Sequence, residues 1–289
     1  MSLRETKDHI ASVRSTRKIT SALKLVSSAK LRKAQKTIET LRPYEQTLTS
    51  VFASLRASRP GEGAGLAALG AGGTAEGGAA VAVVVIASNS SMCGAFNSNV
   101  CRKALEVVRG CSGPARVHAL GRKAADALRR EGYGSEADYT QLSAHPSYEA
   151  VAEMSRRLSA GFLKGELSRV VLVYSHFVSA SRQEVMVENY LPLEDAGSAA
   201  GASGDPEAFI VEPSAEQVLE SMLPRVLALK LYAAVLDSAA SEHAARMLAM
   251  QTATDNADAL LSTLTLEYNK ARQQKITNEI LDLLGGAAK

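Results

Sequence analysis

Between Arg225 and Gly285 there are 60 residues without a proline or a glycine. That is roughly 90 Å of helix at about 1.5 Å per residue. The other end of the chain opens the same way, with no proline before Pro43 and no glycine before Gly61. Globular helices average about 11–12 residues, so two such stretches need a long partner rather than an ordinary core. The C-terminal stretch carries a heptad. One seam is Leu229, Leu236, His243, Met250, Ala257, Leu264 and Ala271, and the other is Val226, Ala233, Ala240, Met247, Thr254, Leu261 and Tyr268. Spacings of three and four sustained in this way mark a coiled coil. At the N-terminus, Leu31, Ala34, Ile38, Leu41, Glu45, Leu48, Phe52 and Leu55 keep one register, and Ile10, Val13, Ile19, Leu23 and Val26 follow helical spacing in a shifted phase. The expected fold is α/β: an antiparallel coiled coil of long terminal helices with an inserted Rossmann-like α/β domain. The expected divisions are an N-terminal helix over 1–58, a glycine-rich segment over 59–78, an α/β domain over 79–211 and a C-terminal helix over 212–289.

The insert begins after a segment, 57–78, that holds eight glycines and reads as a linker. The run AAVAVVVIA at 79–87 is apolar throughout, the pattern of a parallel strand buried on both faces. Alternation continues with helices at about 97–108, 122–130 and 148–163. Strands are expected at 116–120, 169–178 and 184–193, with a weak one near 137–142 and an extended piece at 209–211. This order implies an open sheet with helices on it. Residues 194–208 read as a protruding loop.

Charge is distributed unevenly. Residues 1–59 hold 13 Lys and Arg against 4 Asp and Glu, and eight bases lie between Asp8 and Glu39 with no acid among them. The bases spread around the helix instead of forming a stripe, and no aromatics interleave with them for base stacking. A helix running inside an acidic protein cavity fits better than a nucleic-acid binder. Three cysteines, Cys93, Cys101 and Cys111, make no disulfide framework and read as free, buried thiols. No run approaches 18 apolar residues, so no membrane span is expected. The start, MSLRETKDHI, has no secretory signal and reads as a cytoplasmic N-terminus.

Chemistry is hard to find. The glycines precede the first strand, which is the wrong context for a phosphate-binding loop, and no G-x-x-x-x-G-K-[ST] is present. The five histidines are scattered, and Ser175-His176 places two side chains on opposite faces of a strand. Asp255 and Asp258 read as a solvated pair on a helix. No catalytic residue, cofactor or metal site is expected. Two alternatives stay open: a basic scaffold that binds nucleic acid, and an enzyme of the dinucleotide-binding class.

The sequence ITSALKLVSSAKLRKAQ at 19–35 resembles the N-terminal helix signature of the gamma subunit of F-type ATP synthases. ATDNA at 253–257, LEYNKARQ at 266–273, ITNEI at 276–280 and GGAA at 285–288 resemble its C-terminal signature, and the loop 88–97 resembles S-D-R-G-L-C-G-x-F-N. The chain departs from that loop at Asn89, Ser90, Ser91 and Met92. Leu23 and Leu25 stand where methionine is usual, and the paired redox cysteines of chloroplast relatives have no counterpart. The resemblance implies a rotor shaft inside a ring of alpha and beta subunits, with the α/β domain against the epsilon subunit and the membrane ring of c subunits. It places Arg272 and Gln273 against a beta-subunit loop and Lys30, Arg32 and Lys33 against acidic residues of the ring. Leu23 lies on a packed surface, and Leu281 to Leu284 form a greasy bearing. It implies no chemistry of the chain's own and no nucleic acid. Together with the absence of a transit peptide, it implies a peripheral position on the cytoplasmic face of a bacterial inner membrane.

Overall fold

The computed structural model describes residues 3–58, 79–111, 113–193, 211–212 and 214–286. Its elements in chain order are α1 (Leu3–Ser58), β1 (Ala80–Ile86), α2 (Phe96–Arg109), β2 (Ala115–Leu120), α3 (Arg122–Arg130), α4 (Thr140–Ala144), α5 (Tyr148–Leu163), β3 (Leu167–Phe177), β4 (Gln183–Leu191) and α6 (Ala215–Gly286). The helix α1 continues through residues 57 and 58, where the linker was expected to start. The rest of the glycine-rich segment and the expected loop at 194–208 lie outside the described residues, as do 209 and 210.

Both long helices contain a proline, Pro43 in α1 and Pro224 in α6. Proline removes one intrahelical hydrogen bond, that of the carbonyl four residues earlier. Here both prolines are exposed, and so are Glu39 and Glu220, whose carbonyls lose that partner. Water can serve a carbonyl on the solvent side, so the helices carry on.

The described residues group into two compact units. One joins residues 1–28 to 246–289, and the other is Ala29–Ala245. The first is an antiparallel helix pair. Val13, Ala257 and Leu264 form its buried cluster, with Ile10 and Leu261 against them. Thr254 Oγ1 donates to Thr20 Oγ1 across 2.8 Å, and Arg17 pairs with Asp258. Partners descend along α6 as they ascend along α1, which fixes the antiparallel sense. On α6 the heptad reads as expected: Met250, Ala257 and Leu264 are buried and Thr254, Leu261, Tyr268 and Ala271 half-buried.

On α1 the expected shifted phase needs correction. Ile19 and Val26 are 58% and 52% exposed, while the buried positions are Thr6, Val13, Thr20 and Ser27, seven residues apart. Small hydroxyl residues can occupy a seam because each can bond a carbonyl of its own helix. Thr20 donates to the Arg17 carbonyl and Ser27 to that of Leu23. Asp258 was expected to be solvated, but it pairs with Arg17, whereas Asp255 accepts from Gln251 Nε2 at 2.7 Å.

The second unit holds a four-stranded sheet in the order β2-β1-β3-β4, with β1 parallel to β2 and β3 and with β4 antiparallel. Alternate residues of β1 bury on opposite faces, which explains its unbroken apolar run. Val83 and Val85 pack with Val100, Ala104 and Val108 of α2 and with Ala124 and Leu128 of α3. Ala82, Val84 and Ile86 pack with Val151, Met154 and Leu158 of α5 and with Leu227 and Leu231 of α6. Phe52 and Leu55 of α1 join this second layer.

The weak strand expected near 137–142 is not formed. Only an isolated bridge joins Val117 to Ser135, and the short helix α4 follows. Asp138 Oδ1 accepts from both the amide and the hydroxyl of Thr140, a local turn that competes with a strand and starts a helix.

Tyr190 is fully buried, 2.6 Å from Ser155 Oγ, and its hydroxyl donates to the Leu227 carbonyl at 3.0 Å. It ties β4 to α5 and α6 at once. Replacing it by phenylalanine leaves the ring but strands its partners. A loss of about 1–3 kcal/mol is expected, measured as a fall in the denaturation midpoint.

Candidate functional site

Of the contact residues expected on the helices, those with described side chains lie at the surface apart from half-buried Leu23, and among the described residues no cleft groups them. Lys30, Arg32 and Lys33 are exposed on α1, and Arg272 and Gln273 are exposed on α6. Lys30 and Lys33 are three apart and share a side of the helix, while Arg32 points away from them. Leu23 is half-buried, Leu281 is 59% exposed, and the Leu284 side chain lies outside the described residues. Large apolar side chains stand exposed beside these residues, among them Leu25, Val26, Leu260, Leu266, Ile276 and Leu283. Among the described residues no helix is long and apolar enough to cross a membrane.

A second site was missed in the sequence. In an open α/β sheet a ligand binds beyond the carboxyl ends of the strands, where strand order reverses. Here the reversal lies between β1, which leads to β2 on one side, and β3 on the other. That position is taken by the chain's own helix. Ser238 Oγ donates to the Ile86 carbonyl at 3.2 Å, and Ser241 Oγ donates to the Ser175 carbonyl at 3.0 Å. Asp237 Oδ1 accepts the Phe177 amide at 2.9 Å, and its Oδ2 lies 2.5 Å from His176 Nδ1. Both serines are buried to within 2%. The only sequence signal was polar residues at 237, 238 and 241 within the largely apolar run 226–241, and heptad counting passes over them.

The neighbouring loops are equally closed. Asn89 Oδ1 accepts the Arg122 amide at the start of α3, and its Nδ2 donates to the Thr140 carbonyl, both at 2.9 Å. The aspartate of the related motif could make the first bond but not the second. Asn97 reaches back to Ser88 with both amide atoms, accepting its main-chain N–H at 3.0 Å. Cys93 and Cys101 are buried and Cys111 half-buried, all as free thiols.

Between α1, β4 and α6 lies a charged cluster. Lys230 Nζ is 2.9 Å from Glu188 Oε1 and donates to the Asn189 carbonyl at 3.3 Å, while Tyr174 OH donates to Glu188 Oε2 at 3.2 Å. Glu45 stands on the α1 seam beside them. Burial lifts its carboxyl above the ordinary range, the Glu188 charge adds to this, and Arg42 and Lys230 oppose it. A raised carboxyl means that the folded chain holds its proton longer than the unfolded chain. This contribution to stability is complete below the unfolded value and is lost as pH rises through the folded one. Glu45→Gln should therefore raise the melting temperature at neutral pH and lose that advantage in acid, below the ordinary carboxylate range. Melts between about pH 3 and 8, spanning the ordinary carboxylate range, check it. A gain that persists unchanged at low pH would refute the charge argument.

Comparison with known proteins shows the family. The family model described as ATP synthase matches residues 2–289. The chain is 42% identical over 301 residues to the ATP synthase gamma chain of Bacteroides thetaiotaomicron, covering 99% of each. It is also 42% identical over 287 residues to that of Flavobacterium johnsoniae, covering 99% of this chain and 97% of the relative. Among solved structures, the rotor of Euglena gracilis mitochondrial ATP synthase superimposes with a TM-score of 0.62 at 21% identity, over 95% of this chain and 98% of that one. The central stalk and c-ring of the Tetrahymena thermophila enzyme matches with a TM-score of 0.57 at 21% identity, over 81% and 99%. At such identities the structures speak for the fold alone.

Proposed function

This chain belongs to the ATP synthase gamma-chain family, and we propose that its work is mechanical throughout. It is a non-catalytic subunit of F1, the central rotor shaft that couples ion flow in the membrane sector to ATP synthesis and hydrolysis. The observation that carries this is the 42% match over 99% of both chains, which takes in both terminal helices and the sheet between them. A single asymmetric shaft inside a three-fold ring offers each catalytic beta subunit a different face. It thereby stabilises a different conformer in each, and rotation exchanges them.

The partners on this reading are the alpha and beta subunits of the ring, the epsilon subunit and the c-ring, with no nucleic acid. The assembly sits on the cytoplasmic face of a bacterial inner membrane. Residues 1–58 and 212–289 belong to the shaft, 79–211 to the α/β domain, and 59–78 to the segment between. Lys30, Arg32 and Lys33 face acidic residues of the ring, Leu23 packs against its wall, and Leu281 and Leu284 belong to the apolar bearing. Arg272 and Gln273 hydrogen-bond a beta-subunit loop. The exposure of Arg272 supports that role, since a fixed guanidinium fork is free to pair a carboxylate at two points. A dinucleotide-binding role is disfavoured because Ser238, Ser241 and Asp237 occupy the place where the ligand would sit.

Arg272→Ala should weaken the coupling of rotation to catalysis without unfolding the chain. Losing a charged hydrogen bond of about 1.5–3 kcal/mol should lower ATP-driven proton pumping by about tenfold or more. Unchanged pumping would remove Arg272 from this role. The broader test is a tagged pull-down from native membranes with ATPase assayed on the eluate. Alpha, beta and epsilon subunits with Mg-ATPase activity are expected. A chain that emerges alone, or with nucleic acid, would overturn the reading.

A further inference from the structure

The bonds at the strand ends have a mechanical consequence. A shaft that turns inside a ring transmits torque only if its helix cannot twist in the domain that carries it. Apolar packing holds α6 to the sheet through Leu227, Leu231 and Val235. Such packing is non-directional, and it resists separation better than rotation of a helix about its own axis. Hydrogen bonds are directional. Turning α6 by about 20° would move atoms about 5 Å from its axis by about 1.7 Å. That exceeds the tolerance of the bonds from Ser238 to Ile86 at 3.2 Å, from Ser241 to Ser175 at 3.0 Å and from Phe177 to Asp237 at 2.9 Å. The acceptors of both serines sit on adjacent strands, β1 and β3, so one twist strains the two bonds together. Beyond this point α6 runs on without interruption to Gly286.

We infer that Asp237, Ser238 and Ser241 are positioning residues that fix the angular register of α6 on the sheet and form the torque-bearing joint of the rotor. The inference rests on the rotor-shaft reading. The joint uses the crevice where doubly wound domains hold a ligand, so the fold's binding site has become its mechanical anchor. Four bonds make the joint, two from the serines and two from Asp237.

The test uses F1 assembled from this chain with its alpha and beta partners. The ring is immobilised, and a probe is attached at an introduced Arg102→Cys, an exposed site on α2, in a Cys111→Ser background. ATP-driven rotation of the otherwise unaltered chain comes first. In the Ser238→Ala, Ser241→Ala double variant, stepping should persist while the angular variance within each dwell rises by up to about twofold, since two of the joint's four similar bonds are gone while those of Tyr190 and Lys230 still hold α6 to β4. Ser238→Ala alone should give a smaller rise in the same direction. Gly132→Ala, which strains the backbone of the same domain at φ +89° where the added carbon meets no atom within 4 Å, should lower the melting temperature and leave the variance unchanged. Intact stepping with unchanged variance in both serine variants would overturn the joint, as would an equal rise in Gly132→Ala. Absence of rotation in the unaltered chain would instead overturn the rotor-shaft reading beneath it.

Discussion

Gly121→Ala should remove a large part of the stability of the sheet domain. Gly121 has φ +102°, a region that residues with a side chain rarely adopt, and a Cβ there would lie 2.2 Å from the Ala87 carbonyl oxygen and 2.8 Å from its carbon. The obstacle is backbone rather than a flexible side-chain tip, so the strand end itself must move. Strain in such a conformation costs about 1–3 kcal/mol, and forcing an extra carbon into packed surroundings costs about 1–3 kcal/mol more. The sum is a large part of the 5–15 kcal/mol that holds a typical domain. Movement would also spread, because Ala87 accepts from Ser143 Oγ at 2.8 Å and donates its amide to Leu120 at 2.9 Å. Gly132 provides the control: its φ is +89°, but no atom lies within 4 Å of the added carbon. Gly132→Ala should therefore cost only the backbone strain. Chemical denaturation of the two variants separates clash from conformation. Equal losses would show that the close approach to Ala87 contributes nothing.

The architecture was legible where a sequence pattern had one physical cause. The run 79–87 could be apolar throughout only if both faces of its strand were covered, and β1 lies between two layers of helices. The heptad of α6 was visible because Met250, Ala257 and Leu264 have no other reason to recur. The α1 seam was misread at Ile19 and Val26 because counting apolar residues assumes that seams are apolar. Thr20 and Ser27 enter this one by bonding carbonyls of their own helix, an option that hydropathy does not register. The strand expected near 137–142 failed for a similar reason, since Asp138 captures Thr140 locally. The joint at Asp237, Ser238 and Ser241 was illegible because three of its four partners are main-chain groups 60 or more residues away, which no side-chain pattern reveals. The residues proposed to face partners came from motif resemblance, and the structure adds only that those with described side chains stand at the surface, apart from half-buried Leu23.

Two leucines on α6 should respond in opposite ways to the same change. Leu231 is fully buried in the cluster that joins α6 to the sheet, whereas Leu266 is 69% exposed. Leu231→Ala should destabilise the chain by about 2–5 kcal/mol, the transfer loss plus the cost of a cavity that its neighbours cannot fill. Leu266→Ala should change stability by less than about 0.5 kcal/mol, because solvent already covers the side chain. Exposed apolar surface on a long helix is nevertheless costly to leave bare, and on the shaft reading Leu266 is covered only in the assembled ring. Its truncation should then weaken assembly with alpha and beta subunits while leaving the chain's own unfolding curve in place. Paired measurements on each variant, denaturation of the free chain and yield of the reconstituted complex, decide the matter. If Leu266→Ala altered neither, the apolar face of α6 would not be a contact surface, and the helix would meet its ring through other residues.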